Sequence, residues 1–128
     1  MRVQSLHFEN YRNLKENTIY PSEKVNVIYG ENANGKSNLL EAIWLFCGGH
    51  SFRGSKENEL ICFDKSFFRL NMEFYAGERD QNAEIVYDKV RKNIKINGVE
   101  KNASSYLTEV FSAVVFSPEH LSLIKQGP

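Results

Sequence analysis

The chain has 128 residues, of which 41% are hydrophobic and 25% charged. That is room for about one domain with its own core, and the composition excludes a disordered chain. Sixteen Lys and Arg balance sixteen Asp and Glu, so no net field draws in nucleic acid or an anionic membrane, and any such contact must rest on local charge. Apolar runs such as Ala42 to Cys47 are far shorter than the roughly 20 residues that span a bilayer, and the N-terminus has no signal-peptide core. A cytoplasmic protein is expected. Cys47 and Cys62 form no CxxC pair and have no clustered histidines, which argues against a zinc site or a disulfide framework and predicts two buried thiols.

From the N-terminus, Val3, Leu6 and Phe8 outline a strand, Asn10-Tyr11-Arg12-Asn13 a polar turn, and the residues near Ile19 a second, short apolar stretch, together a hairpin. Val25 to Tyr29 is a β-branched run stopped by Gly30. From Lys36 to Cys47 the spacing becomes helical, with Leu39, Leu40, Ile43 and Cys47 on one face. Gly48-Gly49 ends that helix, and Ser51 to Lys56 reads as a polar surface loop.

Three strands are predicted next, at Phe68 to Ala76, Ala83 to Tyr87 and Asn93 to Ile96. Gly77-Glu78-Arg79-Asp80 and a charged turn around Lys89 separate them, and Asn97-Gly98 signals a further hairpin. Beyond this meander, Ser104 caps a short helix through Phe111, Ala113 to Phe116 reads as a buried strand, and Pro118 with Glu119 opens another helix. The end at Gly127-Pro128 falls inside a helix-turn region, which suggests a piece of a longer protein.

Gly30-Glu31-Asn32-Ala33-Asn34-Gly35-Lys36-Ser37 matches G-x-x-x-x-G-K-[ST] in full. The two glycines let the backbone curl so that successive N–H groups face phosphate oxygens, and a helix starting at the motif adds its positive dipole end. Lys36 would bridge the β- and γ-phosphates and is the candidate catalytic residue; the Ser37 hydroxyl would ligate a magnesium ion. A strand before the motif and an amphipathic helix after it are the context it requires.

Asn10-Tyr11-Arg12-Asn13 before the loop and Ser37-Asn38-Leu39-Leu40-Glu41-Ala42-Ile43 after it resemble the ABC-type ATPases of DNA repair and chromosome maintenance. With Ser51-Phe52-Arg53, Ile96-Asn97-Gly98 and Val115 to Leu121, running on to Lys125-Gln126-Gly127-Pro128, the chain resembles the RecF family of bacterial replication and recombinational-repair proteins over nearly its whole length. The resemblance implies an α/β P-loop NTPase fold, lobe I of an ABC-type head with an antiparallel β-subdomain. Residues 1–60 would form the P-loop core, 61–103 the β-subdomain, and 104–128 the return to the core.

The resemblance also implies ATP and Mg2+ as cofactors, held by residues 30–37 with Asn38, and makes Arg12 and Asn13 candidates for the phosphate or base side. Its other implications are an ATP-dependent homodimer that acts as a switch on double-stranded or gapped DNA and single-stranded junctions, work with RecO and RecR to load RecA, and a place in the SOS response. The acidic pair, signature motif and downstream histidine that such ATPases use for hydrolysis are not in these 128 residues, so slow turnover belongs to the longer protein. A small P-loop phosphotransferase and a non-catalytic ATP-dependent DNA-binding module are the alternatives.

Leu60 to Asp64 imitates a magnesium-coordinating strand, but Lys65 stands where a second acid is needed, so Asp64 reads as a surface carboxylate. Arg53 is either a phosphate or DNA contact or a solvated arginine. Glu119 either acts near the γ-phosphate or simply favours a helix N-terminus. Lys89, Arg91, Lys92 and Lys95 crowd one hairpin and are weighed as DNA-phosphate contacts against ordinary solvated charge. His7, His50 and His120 are scattered, and Trp44 and the phenylalanines read as core.

Overall fold

A computed structural model describes residues 2–14, 16–22, 33–48, 50–51, 55–101 and 110–111, with side chains in the helix from Ser37 onward. The strands are β1 (Arg2–Glu9), β2 (Asn17–Ile19), β3 (Phe68–Ala76), β4 (Arg79–Tyr87), β5 (Lys92–Ile96) and β6 (Val99–Lys101); α1 covers Ala33–Leu45 and a 3-10 turn Glu57–Leu60. The six strands form one sheet in the order β2-β1-β3-β4-β5-β6, antiparallel at every pairing. The expected strand at Val25 to Tyr29 and the elements expected from Ser104 onward, Val110 and Phe111 apart, lie outside the described residues.

Alternation decides the two faces. Leu6 and Phe8 of β1, Phe68, Leu70, Met72 and Phe74 of β3, Ala83 and Ile85 of β4 and Ile94 of β5 are buried on one side. They share a core with Ala42, Leu45 and Phe46 from α1 and its end. Phe111 joins the layers, its ring 4.7 Å from Phe74 and 5.8 Å from Phe46. The other face is polar and mixed in charge: Arg69 pairs with Glu9 at 2.9 Å and Glu84 at 3.8 Å, and Asn82 donates to Asn71 at 2.8 Å.

β3 begins and ends where the alternation predicts. β4 starts earlier than expected because the β3–β4 turn is only Gly77-Glu78, both with positive φ, which leaves Arg79 to pair with Ala76. Asn97-Gly98 is the same kind of turn, at φ 54° and 79°, and primed turns of this type match the twist of the strands they join. The meander also extends further than predicted: β1 pairs with β3, Leu6 opposite Met72 and Phe8 opposite Leu70, so one sheet crosses the boundary expected at residue 60.

α1 starts at Ala33 rather than Lys36, and its buried stripe is not the predicted one. Leu39, Ile43 and Cys47 flank the core, but Leu40 is 46% exposed. The buried positions are Asn38, Glu41, Ala42 and Leu45, spaced i, i+3, i+4, i+7. Polar residues hold half of that stripe because they meet polar partners from the turn after β1. Both cysteines are free and only half-buried, a correction to the expectation of two buried thiols.

Candidate functional site

Of the phosphate-loop motif, Gly30, Glu31 and Asn32 lie outside the described residues, while Ala33, Asn34, Gly35 and Lys36 form the first turn of α1. Backbone N–H groups in a first helical turn have no carbonyl one turn back to bond. Those of Ala33, Asn34 and Gly35 therefore fall within the motif, at the positive end of the helix dipole. Glycine at position 35 costs a helix about 1 kcal/mol relative to alanine; burial of Ala42, Leu45 and Phe46 further along holds the helix together. Ser37 follows, half-buried, and then Asn38, buried.

The turn after β1 reaches this helix end. Asn38 donates through Nδ2 to the Asn13 side-chain oxygen at 2.6 Å. One turn on, Glu41 is 0% exposed. Tyr11 Oη and Arg12 Nε each donate to its Oε1 at 2.6 Å, Arg12 Nη2 donates to Oε2 at 3.0 Å, and the Ser51 hydroxyl donates to Oε2 as well. Arg12 Nη2 also donates to Ser55 Oγ at 2.8 Å.

The backbone around Arg12 is equally fixed. Asn10 and Arg12 both have positive φ, 57° and 47°, a region that is uncommon for residues other than glycine, less so for asparagine than for arginine. Here the Arg12 N–H donates to the Leu60 carbonyl and the Cys62 N–H to the Asn10 carbonyl, each at 2.8 Å, with Tyr11 bridged to Ile61.

Burial pushes the Tyr11 phenol far above its ordinary range, and the Glu41 carboxylate pushes it further, so the ring remains a neutral donor. Burial alone would loosen the Arg12 proton; hydrogen bonding and charge from Glu41 more than offset this and raise the group. A carboxylate and a guanidinium, each satisfied by the other, are the condition under which a buried charge is tolerated.

Beside this network lies a cleft of about 500 Å³ lined by Arg12, Asn13, Asn38, Glu59, Ile61, Cys62 and Phe63. Phe63 is 92% exposed, and Ile61, Cys62 and Phe63 also line a second groove of about 830 Å³. A groove of about 590 Å³ on the polar face of the sheet includes Glu73 and Asp80 in its lining and none of the motif residues. The predicted residues Arg12, Asn13 and Asn38 thus come together on one cleft, with Ser37 adjacent in sequence to Asn38.

Sequence reasoning missed Glu41, Tyr11, Ser51 and Ser55 as members of this network; within Ser51 to Lys56, a polar surface loop by sequence, only Arg53 is weighed as a contact. One signal was available: Glu41 falls in line with Asn38, Ala42 and Leu45, and a carboxylate on a buried stripe requires donors, which the neighbouring motif Tyr11-Arg12 supplies. Arg53 and Glu119 lie outside the described residues. Asp64 is exposed, as expected for a surface carboxylate, with φ 71°.

Two of the four cations weighed on the β4–β5 hairpin lie on opposite faces of the sheet. Lys92 is opposite Tyr87 in the ladder and bonds Glu57 at 2.6 Å, whereas Lys95, three residues on, lies opposite Glu84; residues three apart on a strand point to opposite faces. Among the described residues, no group of three or more His, Cys, Asp or Glu could hold a metal ion, and no helix is long and apolar enough to cross a membrane.

Residues 5–116 match the family model described as AAA domain. The chain is 43% identical over 129 residues to the DNA replication and repair protein RecF of Thermoanaerobacter sp. strain X514, covering all of this chain and 36% of that protein. A solved structure of the recombination mediator protein RecF-ATP in the RecFOR pathway superposes with a TM-score of 0.89 at 41% identity, over 98% of this chain and 35% of that one. The SMC head domain from Thermotoga maritima shares the fold, with a TM-score of 0.67 at 20% identity, over 88% of this chain and 43% of that one. The chain spans about a third of the length of the RecF proteins that it matches.

Proposed function

The chain belongs to the AAA domain family, and from that membership we propose that its residues 30–38 bind ATP as part of a RecF-like DNA repair and recombination protein. One observation carries the reading. The first turn of α1, whose N–H groups have no partner within the helix, stands beside a cleft where Arg12, Asn13 and Asn38 meet. The N–H groups of the motif would hold the triphosphate, and Lys36 would supply positive charge to its β- and γ-phosphates. Arg12 and Asn13 serve the phosphate or base side, and the apolar side chains of Ile61 and Phe63 suit a base. A likeness at 41% identity to a RecF protein solved with ATP supports this reading.

The donor set around Ser37 also suits magnesium. This ion takes most of its ligands from phosphates and water and needs only one or two protein oxygens. Ser37 supplies a hydroxyl, half-buried on α1 next to Asn38. When bound, the ion neutralises charge on the phosphates. Lys36 does the same from the protein side, while the network around Arg12 holds the turn after β1 against α1.

For the longer protein we propose the role its relatives' names indicate, DNA replication and repair, carried out in the cytoplasm. ATP drives formation of a homodimer that switches binding to double-stranded or gapped DNA, with RecO and RecR as partners in loading RecA at single-stranded gaps.

Calorimetric titration of ATP with magnesium into the full-length protein tests the core of the reading. Lys36→Ala is expected to weaken binding about 100-fold, the loss of about two charge-assisted hydrogen bonds, and Ser37→Ala to remove the magnesium dependence. Equal affinity of wild type and Lys36→Ala sinks the proposal.

A further inference from the structure

Glu41 sits one turn beyond Asn38 on α1, away from the phosphate-loop motif, yet it accepts four hydrogen bonds from described side chains. Its Oε1 accepts from Tyr11 and from Arg12 Nε, and its Oε2 from Arg12 Nη2 and Ser51. Two parallel bonds from one carboxylate fix both the position and the plane of a guanidinium. The second Nη2 hydrogen goes to Ser55. A guanidinium has five donors; three of them are thereby committed, and the two on Nη1 are taken by no described residue. Arg12 lines the cleft, with 19% of its side chain exposed.

The geometry points to Glu41 as a positioning residue: it clamps Arg12 so that the Nη1 edge is the one offered to an acceptor oxygen or nitrogen of the nucleotide in the cleft. This rests on the nucleotide reading proposed above. Tyr11 and Ser51 complete the clamp, because they occupy the lone pairs of Glu41 that would otherwise let the guanidinium slide along the carboxylate. Lysine at position 12 would keep the charge and lose the orientation, since an ammonium has no planar fork to hold.

The test is a double-mutant cycle in nucleotide affinity. It is measured by titrating the full-length protein with ATPγS and magnesium, below the melting temperature of every variant. Arg12→Gln is expected to weaken binding about tenfold or more, as for a lost hydrogen bond to a charged group. Glu41→Gln is expected to weaken it by a similar factor, and the double variant to be no weaker than either single one. A Glu41 that serves stability alone would lower the melting temperature and leave the affinity of the folded protein unchanged.

Removing one partner of a buried ion pair destabilises strongly, so Glu41→Asp accompanies it. Aspartate keeps the charge but withdraws the acceptor by one methylene, and an intermediate loss of affinity is expected. Wild-type affinity in Glu41→Asp, in Glu41→Gln or in Arg12→Gln overturns the inference, as does a double variant whose loss is the product of the single losses. Lys36→Ala separates the two readings. If Lys36→Ala loses binding while the Glu41 variants do not, only the role of Glu41 falls; if the wild type fails to bind, both fall.

Discussion

Tyr11→Phe removes a single oxygen from the centre of the polar network and leaves the ring in place. The wild-type hydroxyl donates to Glu41 at 2.6 Å from a fully buried position, and the ring lies edge-on to Phe68 with centroids 5.5 Å apart. Phenylalanine keeps that contact and introduces no unpaired donor, and Glu41 Oε1 still accepts from Arg12 Nε. The loss is therefore one hydrogen bond to a charged acceptor, about 2 kcal/mol. For 128 residues at about 2.1 cal/mol/K per residue, that lowers the melting temperature by about 7 °C.

The pH dependence of the difference is more diagnostic than its size. Burial, reinforced by Glu41, raises the folded-state pKa of Tyr11, so the stabilisation is fully present below the unfolded value near 10 and is lost as pH rises above it. The unfolded chain then sheds a proton that the folded chain keeps. The gap between wild type and Tyr11→Phe should narrow by about 1.4 kcal/mol per pH unit above pH 10. Groups that titrate in both proteins cancel. Urea titrations from pH 7 to 11, followed by the fluorescence of Trp44, the single tryptophan of the chain, measure it. A gap below about 0.5 kcal/mol at pH 7, within the range of ordinary surface substitutions, or a gap constant through pH 11, refutes the argument.

Three further outcomes are expected. Gly98→Ala should destabilise by about 1 kcal/mol in thermal melts: φ is 79° and a Cβ there meets nothing within 4 Å, so backbone strain is the whole cost. In maleimide labelling at neutral pH with mass-spectrometric readout, Cys62 should react before Cys47, whose thiol is pushed up by burial and so supplies less thiolate. Magnesium-ATP should protect Cys62, which lines the cleft; labelling at an unchanged rate would place the nucleotide elsewhere.

What the sequence determined by itself is what short-range rules encode. The glycine and lysine spacing of residues 30–37 is legible as a phosphate-loop pattern because the whole motif is contained within eight residues. The alternation from Phe68 to Ala76 fixed both ends of β3, and Asn97-Gly98 fixed a turn, because pleat period and positive φ are local properties.

The tertiary structure decided what depends on distant partners. Leu6 faces Met72 and Phe8 faces Leu70 across more than sixty residues, and nothing near either segment specifies the pairing. The stripe that α1 buries was misread because hydrophobicity favours Leu40 over Asn38 and Glu41. Whether a carboxylate can be buried is settled by the donors it meets. Those of Glu41 come from Tyr11 and Arg12 on one side and Ser51 on the other, brought together only when the turn after β1 closes on the helix. Ser55 likewise became part of the site through Arg12 alone, for a hydroxyl in a polar loop carries no mark of its partner until the fold supplies one.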